Sequence, residues 1–263
     1  MNPKGVIIIP VRWASSRFPG KPLAKIAGQT MLERVWRIAR QVKNASAVYI
    51  ATDDERIASH AKEIGADSVL TGSHCRNGTE RVWEAAQKIK FKAGIYLNLQ
   101  GDAPLTPPWI LEALIERLSQ DPSCQIATPA IRLTRELYDR IKNSAQNGKA
   151  GATTVTFDKT GKALYFSKSL IPHLKKQDSL TPPVYKHLGV YGYTKEALQK
   201  WVSLPPGAFE QAEELEQLRV LEHGIPIHVV VVETKGRTLW SVDNPDDVSV
   251  VEGILRKEGE ICV

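Results

Sequence analysis

The sequence predicts an α/β protein built on a doubly wound, mostly parallel sheet, and three observations lead there. The run Val6 to Ile9 is apolar and β-branched at every position, as a strand covered on both faces requires. Strand and helix patterns then alternate with short connections as far as residue 124. From about residue 125 to residue 195 the rhythm changes to short strands between polar loops, which fits a β-rich insertion. Residues 196–263 are expected to complete the core within the same single domain.

Element by element, Pro10 ends the first strand, and Met31–Gln41 carries apolar residues at helical spacing (Met31, Leu32, Val35, Trp36, Ile38, Ala39). Val48–Ala51 is a second strand, followed by a helix Glu55–Ile64 that Asp54 or a neighbour caps. Asp67–Leu70 reads as a strand, Thr79–Lys88 as a helix, Ile95–Leu99 as a strand and Pro108–Ser119 as a helix. In the insertion, Ile126–Ile131, Thr153–Phe157 and Val190–Tyr193 read as strands, with Lys142–Lys149 and Lys175–Asp178 as solvated polar loops. Glu210–Glu222 reads as one helix and Ile227–Val232 as a strand. A last helix, Pro245–Lys257, is capped by Asn244 or Asp243.

Bulk properties exclude several classes. A net charge of +6 on 263 residues, spread along the chain, suits an anionic small molecule better than a nucleic acid, and no helix-turn-helix or RNA-binding signature is present. Cys75, Cys124 and Cys262 stand far apart with no metal-ligand spacing, as ordinary reduced thiols do. No apolar run approaches the roughly 20 residues of a membrane helix, so the expectation is a cytoplasmic protein without membrane insertion. The phosphate-loop and dinucleotide glycine patterns, the serine nucleophile elbow and the zinc-protease motif are all absent.

The chemistry concentrates after the first strand. There Arg12, Arg17 and Lys21 surround a loop of small residues, Ala14, Ser15, Ser16 and Gly20. Three cations at the mouth of a buried strand repel one another unless an anion gathers them, and ligands of open α/β sheets bind at this place, so a polyphosphate is indicated. Asp102 follows a buried strand through Gly101 and would enter the same crevice, either as a hard carboxylate suited to Mg²⁺ or as part of an ordinary Gly-Asp-Ala-Pro turn. Asp243 is either a second metal ligand or a helix cap. Arg81 offers a planar fork to a carboxylate, or a salt bridge to Glu80 or Glu84. His187, Gly189, Tyr191 and Tyr193 alternate along one expected strand and would share a face, lining a sugar pocket or packing in the core. Glu216 and Gln217 fit either a site or the surface of an amphipathic helix.

In order, the segments Ile9–Leu23, Ala51–Asp54, Gly78–Arg81, Gln100–Asp102, Ala163–Ser167, His187–Tyr193, Leu215–Leu221 and Val242–Asp243 resemble the 3-deoxy-manno-octulosonate (Kdo) cytidylyltransferases. The resemblance covers nearly the whole chain. It implies the nucleotide-diphospho-sugar transferase fold, a homodimer to which the β-rich insertion would contribute, and activation of Kdo by CTP for lipopolysaccharide assembly with Mg²⁺ as cofactor. By position, Arg12, Ser15 and Lys21 would hold the triphosphate, and Asp102 and Asp243 the metal, with Lys21 and both aspartates as the catalytic set. Arg17, Arg81, Gln100, His187, Tyr191, Glu216 and Gln217 would surround the sugar acid. The chain departs from the family pattern at Ala103, where a glutamate is usual, at Thr154 for lysine, at Lys168 for arginine and at His173 for tryptophan. The first two each subtract a charge. They motivate two alternatives: another sugar acid (amino-Kdo or a nonulosonic acid), or a catalytically weakened nucleotide-binding protein.

Overall fold

The computed structural model describes residues 5–15, 17–91, 93–146, 152–175 and 182–261. Its first half runs β1 (Gly5–Pro10), a 3₁₀ turn (Lys21–Leu23), β2 (Lys25–Ile26), β3 (Gln29–Thr30), α1 (Met31–Arg40), β4 (Ala45–Thr52), α2 (Glu55–Glu63), β5 (Asp67–Leu70), α3 (Gly78–Lys88), β6 (Ile95–Asn98) and α4 (Pro108–Gln120). The second half runs β7 (Ile126–Arg132), α5 (Arg135–Gln146), β8 (Thr154–Phe157), β9 (Ala163–Ser167), β10 (Tyr185–His187), β11 (Tyr191–Thr194), α6 (Lys195–Ser203), α7 (Ala208–Glu213), α8 (Gln217–Glu222), β12 (His228–Val231) and α9 (Asp246–Glu258).

The main sheet is ordered β5-β4-β1-β6-β11-β7-β10-β8-β9, with β12 also paired to β7. The side from β5 to β6 is parallel throughout. Beyond β6 the neighbours along the sheet are antiparallel, while β12 runs parallel to β7. The β-rich segment therefore prolongs the same sheet. β1 explains why both faces are covered: Ile7 and Ile9 pack with Leu32 of α1 and Leu114 of α4, while Val6 and Ile8 pack with Val82 of α3 and Trp201 of α6. Fully burying each such side chain is worth roughly 1.5–3 kcal/mol, so the fixed register of β1 also fixes where Pro10 releases the chain.

Most first-half elements fall where the sequence places them, and Asp54 caps α2 by accepting from the Arg56 N–H. Four expectations are corrected. His187 and Tyr191 lie on different strands, β10 and β11, with β7 between them, because Leu188–Val190 forms a connection. The single helix expected over Glu210–Glu222 is two, broken where Glu214 adopts φ 49°. Helix α9 starts at Asp246 and is not capped by Asn244 or Asp243. Part of the expected loop Lys142–Lys149 is helical, through Gln146, since Tyr138 and Ile141 of α5 bury themselves against Leu133 and Val184. Residues 147–149, and 176–178 of the other expected loop, lie outside the described residues. No helix among the described residues is long and apolar enough to cross a membrane.

Candidate active site

At the carboxyl ends of β1 and β6 the chain forms two adjoining chambers. The first, of about 340 Å³, is lined by Arg12, Ser15, Arg17, Lys21, Arg81 and Asn77, among others. The second, of about 270 Å³, is lined by His187, Gly189, Lys186, Ala103, Trp240 and neighbours. Gln100, Asp102 and Asp243 line both and form the shared wall.

Glycines allow three segments to meet here. A Cβ on Gly101 would collide with Val11 and come within 3.2 Å of the Pro10 carbonyl, so the Asp102 turn lies directly against the end of β1. A Cβ on Gly78 would meet the Gln100 amide at 3.0 Å and Pro10 at 3.3 Å, which brings the first turn of α3 into the same corner. Gly20, at φ 71°, turns the cationic loop back beneath Trp13, whose ring also packs on the core and against the Arg56 guanidinium, 3.6 Å from the ring centroid. The loop is thus clamped at Trp13, and Ser15 Oγ accepts from the Phe18 N–H at 3.3 Å.

Two of the cations of the first chamber are paired with its aspartates. Lys21 Nζ donates to Asp102 Oδ2 at 2.7 Å and to the Val242 carbonyl at 3.0 Å. Arg17 donates to Asp243 Oδ1 at 2.8 Å. The Val242 N–H donates to the Asp102 carbonyl at 2.9 Å, which sets the two aspartate-bearing segments side by side. Asp247, not Asp243, holds the entry to α9, accepting from the N–H groups of Asp243 and Asn244 and from the Trp240 indole. Burial raises the Asp247 pKa, but these donors and the nearby Lys21 charge outweigh it and hold the carboxyl below its usual range. Asp243 is therefore released from capping, and two adjacent hard carboxylates facing one cleft fit a divalent cation with phosphate oxygens completing its shell.

Arg81 is buried on α3, and its guanidinium bonds Thr71 Oγ1 at 2.5 Å and Asp53 Oδ2 at 2.9 Å, with neither Glu80 nor Glu84 as its partner. It borders the first chamber and not the second. Gln100 donates to Asn98 Oδ1 at 2.9 Å from the shared wall.

In the second chamber, which Lys186 also lines, His187 is a neutral group. Thr128 Oγ1 lies 2.8 Å from His187 Nε2 and donates its only proton to the Val190 carbonyl at 2.7 Å. The hydroxyl must then accept from the ring, which puts the imidazole proton on Nε2 and leaves Nδ1 an acceptor. Burial depresses the His187 pKa to about 3, so the ring is uncharged near neutrality. Ala103 borders this chamber, whereas Thr154 is fully buried outside both, its hydroxyl donating to the Ser169 carbonyl at 2.6 Å.

Tyr191, Glu216 and Gln217 line neither chamber. Tyr191 is buried, its ring 5.4 Å from that of His187, and its hydroxyl has no partner among the described residues. Glu216 accepts from Thr79 Oγ1 at 2.7 Å while its Oε2 is buried without a partner, and burial raises its pKa. Gln217 is buried at the start of α8. Sequence reasoning missed Asn77, which caps α3 by accepting from the Glu80 N–H and borders the first chamber; the Asn77-x-x-Glu80 spacing signals it. It also missed Thr128, which no local pattern could connect to His187, 59 residues away.

Comparison with known proteins accords with this geometry. Residues 6–229 match the cytidylyltransferase family. The chain is 50% identical over 254 residues to the 3-deoxy-manno-octulosonate cytidylyltransferase of Maricaulis maris, covering 97% of this chain and 98% of that protein. It is 40% identical over 252 residues to the enzyme of the same name from Chlamydia felis, covering 96% and 94%. Among solved structures, CMP:2-keto-3-deoxy-manno-octonic acid synthetase complexed with CTP matches with a TM-score of 0.85 at 34% identity, over 97% of this chain and 99% of that one. The chain belongs to the 3-deoxy-manno-octulosonate cytidylyltransferase family.

Proposed function

We propose that this chain transfers a cytidylyl group from CTP to the anomeric hydroxyl of Kdo, giving CMP-Kdo and pyrophosphate for lipopolysaccharide assembly. The observation that carries this reading is the shared wall: Gln100, Asp102 and Asp243 face both a chamber lined by Arg12, Arg17 and Lys21 and one lined by His187, Lys186 and Gly189. A triphosphate in the first chamber and a sugar acid in the second would meet at that wall.

In this scheme Arg12, Ser15 and Lys21 hold the triphosphate, and Arg17 turns from Asp243 toward the sugar's carboxylate. Gln100 and His187 orient the sugar, with His187 Nδ1 accepting from a hydroxyl. The hydroxyl oxygen attacks the α-phosphorus, the bond to pyrophosphate breaks, and the hydroxyl proton leaves to solvent. Lys21 and Arg12 stabilise the charge that develops on the phosphates, and fixed positioning supplies much of the remaining acceleration. Asp102 and Asp243 would hold Mg²⁺, which supplies Lewis-acid polarisation of phosphoryl oxygens. Arg81, tied to Asp53 and Thr71, acts on the nucleotide side, while Tyr191, Glu216 and Gln217 support the chambers from behind. The enzyme is read as a cytoplasmic homodimer, a state supported by Leu164, 63% exposed on the outermost strand β9.

Pyrophosphate release tests the reading. With Mg²⁺ and Kdo, CTP is expected to exceed the other nucleoside triphosphates, and Kdo to exceed amino-Kdo and nonulosonic acids. A preference for another base overturns the assignment, and CTP binding without turnover on any of these acids favours a weakened nucleotide-binding protein.

A further inference from the structure

Outside the paired aspartates, one cluster among the described residues brings metal-binding atoms together. His74, Cys75 and Glu84 each offer a ligand atom, and the three atoms lie within 4.8 Å of one another. Cys75 Sγ–H donates to Glu84 Oε2 at 3.2 Å, and His74 Nε2 lies 3.4 Å from the same oxygen. Donors about 2.0–2.3 Å from a tetrahedral Zn²⁺ stand roughly 3.3–3.6 Å apart, so two edges of such a site are nearly in place.

The other carboxylate oxygen is occupied differently. Glu84 Oε1 accepts from the Gly72 N–H at 2.9 Å and from Lys88 Nζ at 2.6 Å. One oxygen is thus fixed by outer partners and the other left to the thiol and imidazole, the division of labour that orients carboxylate ligands in metal sites. Gly72 completes the arrangement, because a Cβ there would collide with the His74 ring. A thiol with an imidazole selects borderline-soft ions over the hard Mg²⁺ suited to Asp102 and Asp243.

We propose that His74, Cys75 and Glu84 form a binding site for a Zn²⁺-class cation, separate from the carboxylate pair and set in the wall of the nucleotide chamber. Binding breaks the Cys75 S–H bond, releases that proton to solvent and forms a metal–thiolate bond, with water in the fourth position. Imidazole, thiolate and carboxylate together carry two negative charges, which balance the ion. Because Cys75 borders the first chamber beside Asn77 and Gly78, an ion here ties the segment entering α3 to Glu84 on the second turn of that helix.

Cd²⁺ is the probe. Titrated into the nucleotide-free protein, it is expected to raise a thiolate-to-metal charge-transfer absorption that saturates at one ion per chain. C75S should lose that band, C262S should keep it, and H74A should weaken the binding. His74 is 79% exposed in its side chain, so H74A tests the site without disturbing the fold, and circular dichroism checks that C75S is folded. The proposal is overturned by the absence of a saturable band in the wild type, by its persistence in C75S, by its loss in C262S, or by unchanged Cd²⁺ affinity in H74A.

Discussion

In the first chamber two cations are engaged with carboxylates, Lys21 with Asp102 and Arg17 with Asp243, whereas in the second His187 is neutral and fixed by Thr128. A ligand entering the first must exchange partners with groups that are already satisfied. A ligand entering the second meets dipoles whose directions are set beforehand. On the proposed function, the comparison teaches that the two substrates would be recognised by different physics across one wall, charge exchange on one side and preorganised hydrogen bonding on the other.

Breaking the wall has the largest expected effect. Asp102→Asn keeps the side-chain shape but removes the partner of Lys21 and one hard ligand, and it should lower kcat by about 10³-fold in a pyrophosphate-release assay. Circular dichroism should show an unchanged fold. Near-wild-type turnover would remove Asp102 from the catalytic set.

Next comes the contact between the wall and β1. Gly101→Ala places a methyl group against Val11 and the Pro10 carbonyl, so urea denaturation should show a loss of about 1–3 kcal/mol together with reduced turnover. Unchanged stability would mean that the Asp102 turn is free to shift.

The second chamber is sharpened by pH. The native pKa of His187, about 3, lies below the ordinary value of 6.5, so between those limits the unfolded chain holds more protons than the native one. His187 thus makes the protein lose stability as pH falls from 6.5 toward 3, by at most about 1.4 kcal/mol per pH unit. His187→Gln should flatten the difference between melts at pH 7 and pH 5. An equally steep dependence would show that the ring does not titrate as a buried neutral group.

The smallest effect on stability belongs to Arg17. Its pair with Asp243 is exposed at 62% and 49%, so Arg17→Met should change stability by less than about 1 kcal/mol while raising KM for the sugar acid. A rise in KM confined to CTP would move Arg17 to the nucleotide side.

The sequence made the nucleotide chamber legible because its parts are local: an apolar strand, a proline, small residues and cations within Val6–Lys21. Asp102 was readable for the same reason, at the end of another apolar strand. The second chamber was harder. Its strands β10 and β11 are separated by β7, a pairing that no short-range period encodes, so His187 and Tyr191 were placed on one strand. The break at Glu214 was equally hidden, since a non-glycine residue in the left-handed region leaves no mark in hydrophobic spacing. Asp243 reads equally as cap or ligand from sequence, because the residue that holds the entry of α9 is Asp247, four positions further on.

The pair between Lys21 and Asp102 has a bearing on selectivity among the anions of a cell. A ligand bringing only negative charge gains Lys21 but strands Asp102, a half-buried carboxylate that then lacks its counter-charge. Free phosphate or a sugar phosphate therefore meets a resistance that a polyphosphate carrying its own cation does not, since the latter satisfies both members at once. On the proposed function, the resting pair would act as a filter against anions that bring no cation of their own, before any feature of the base or the sugar is read.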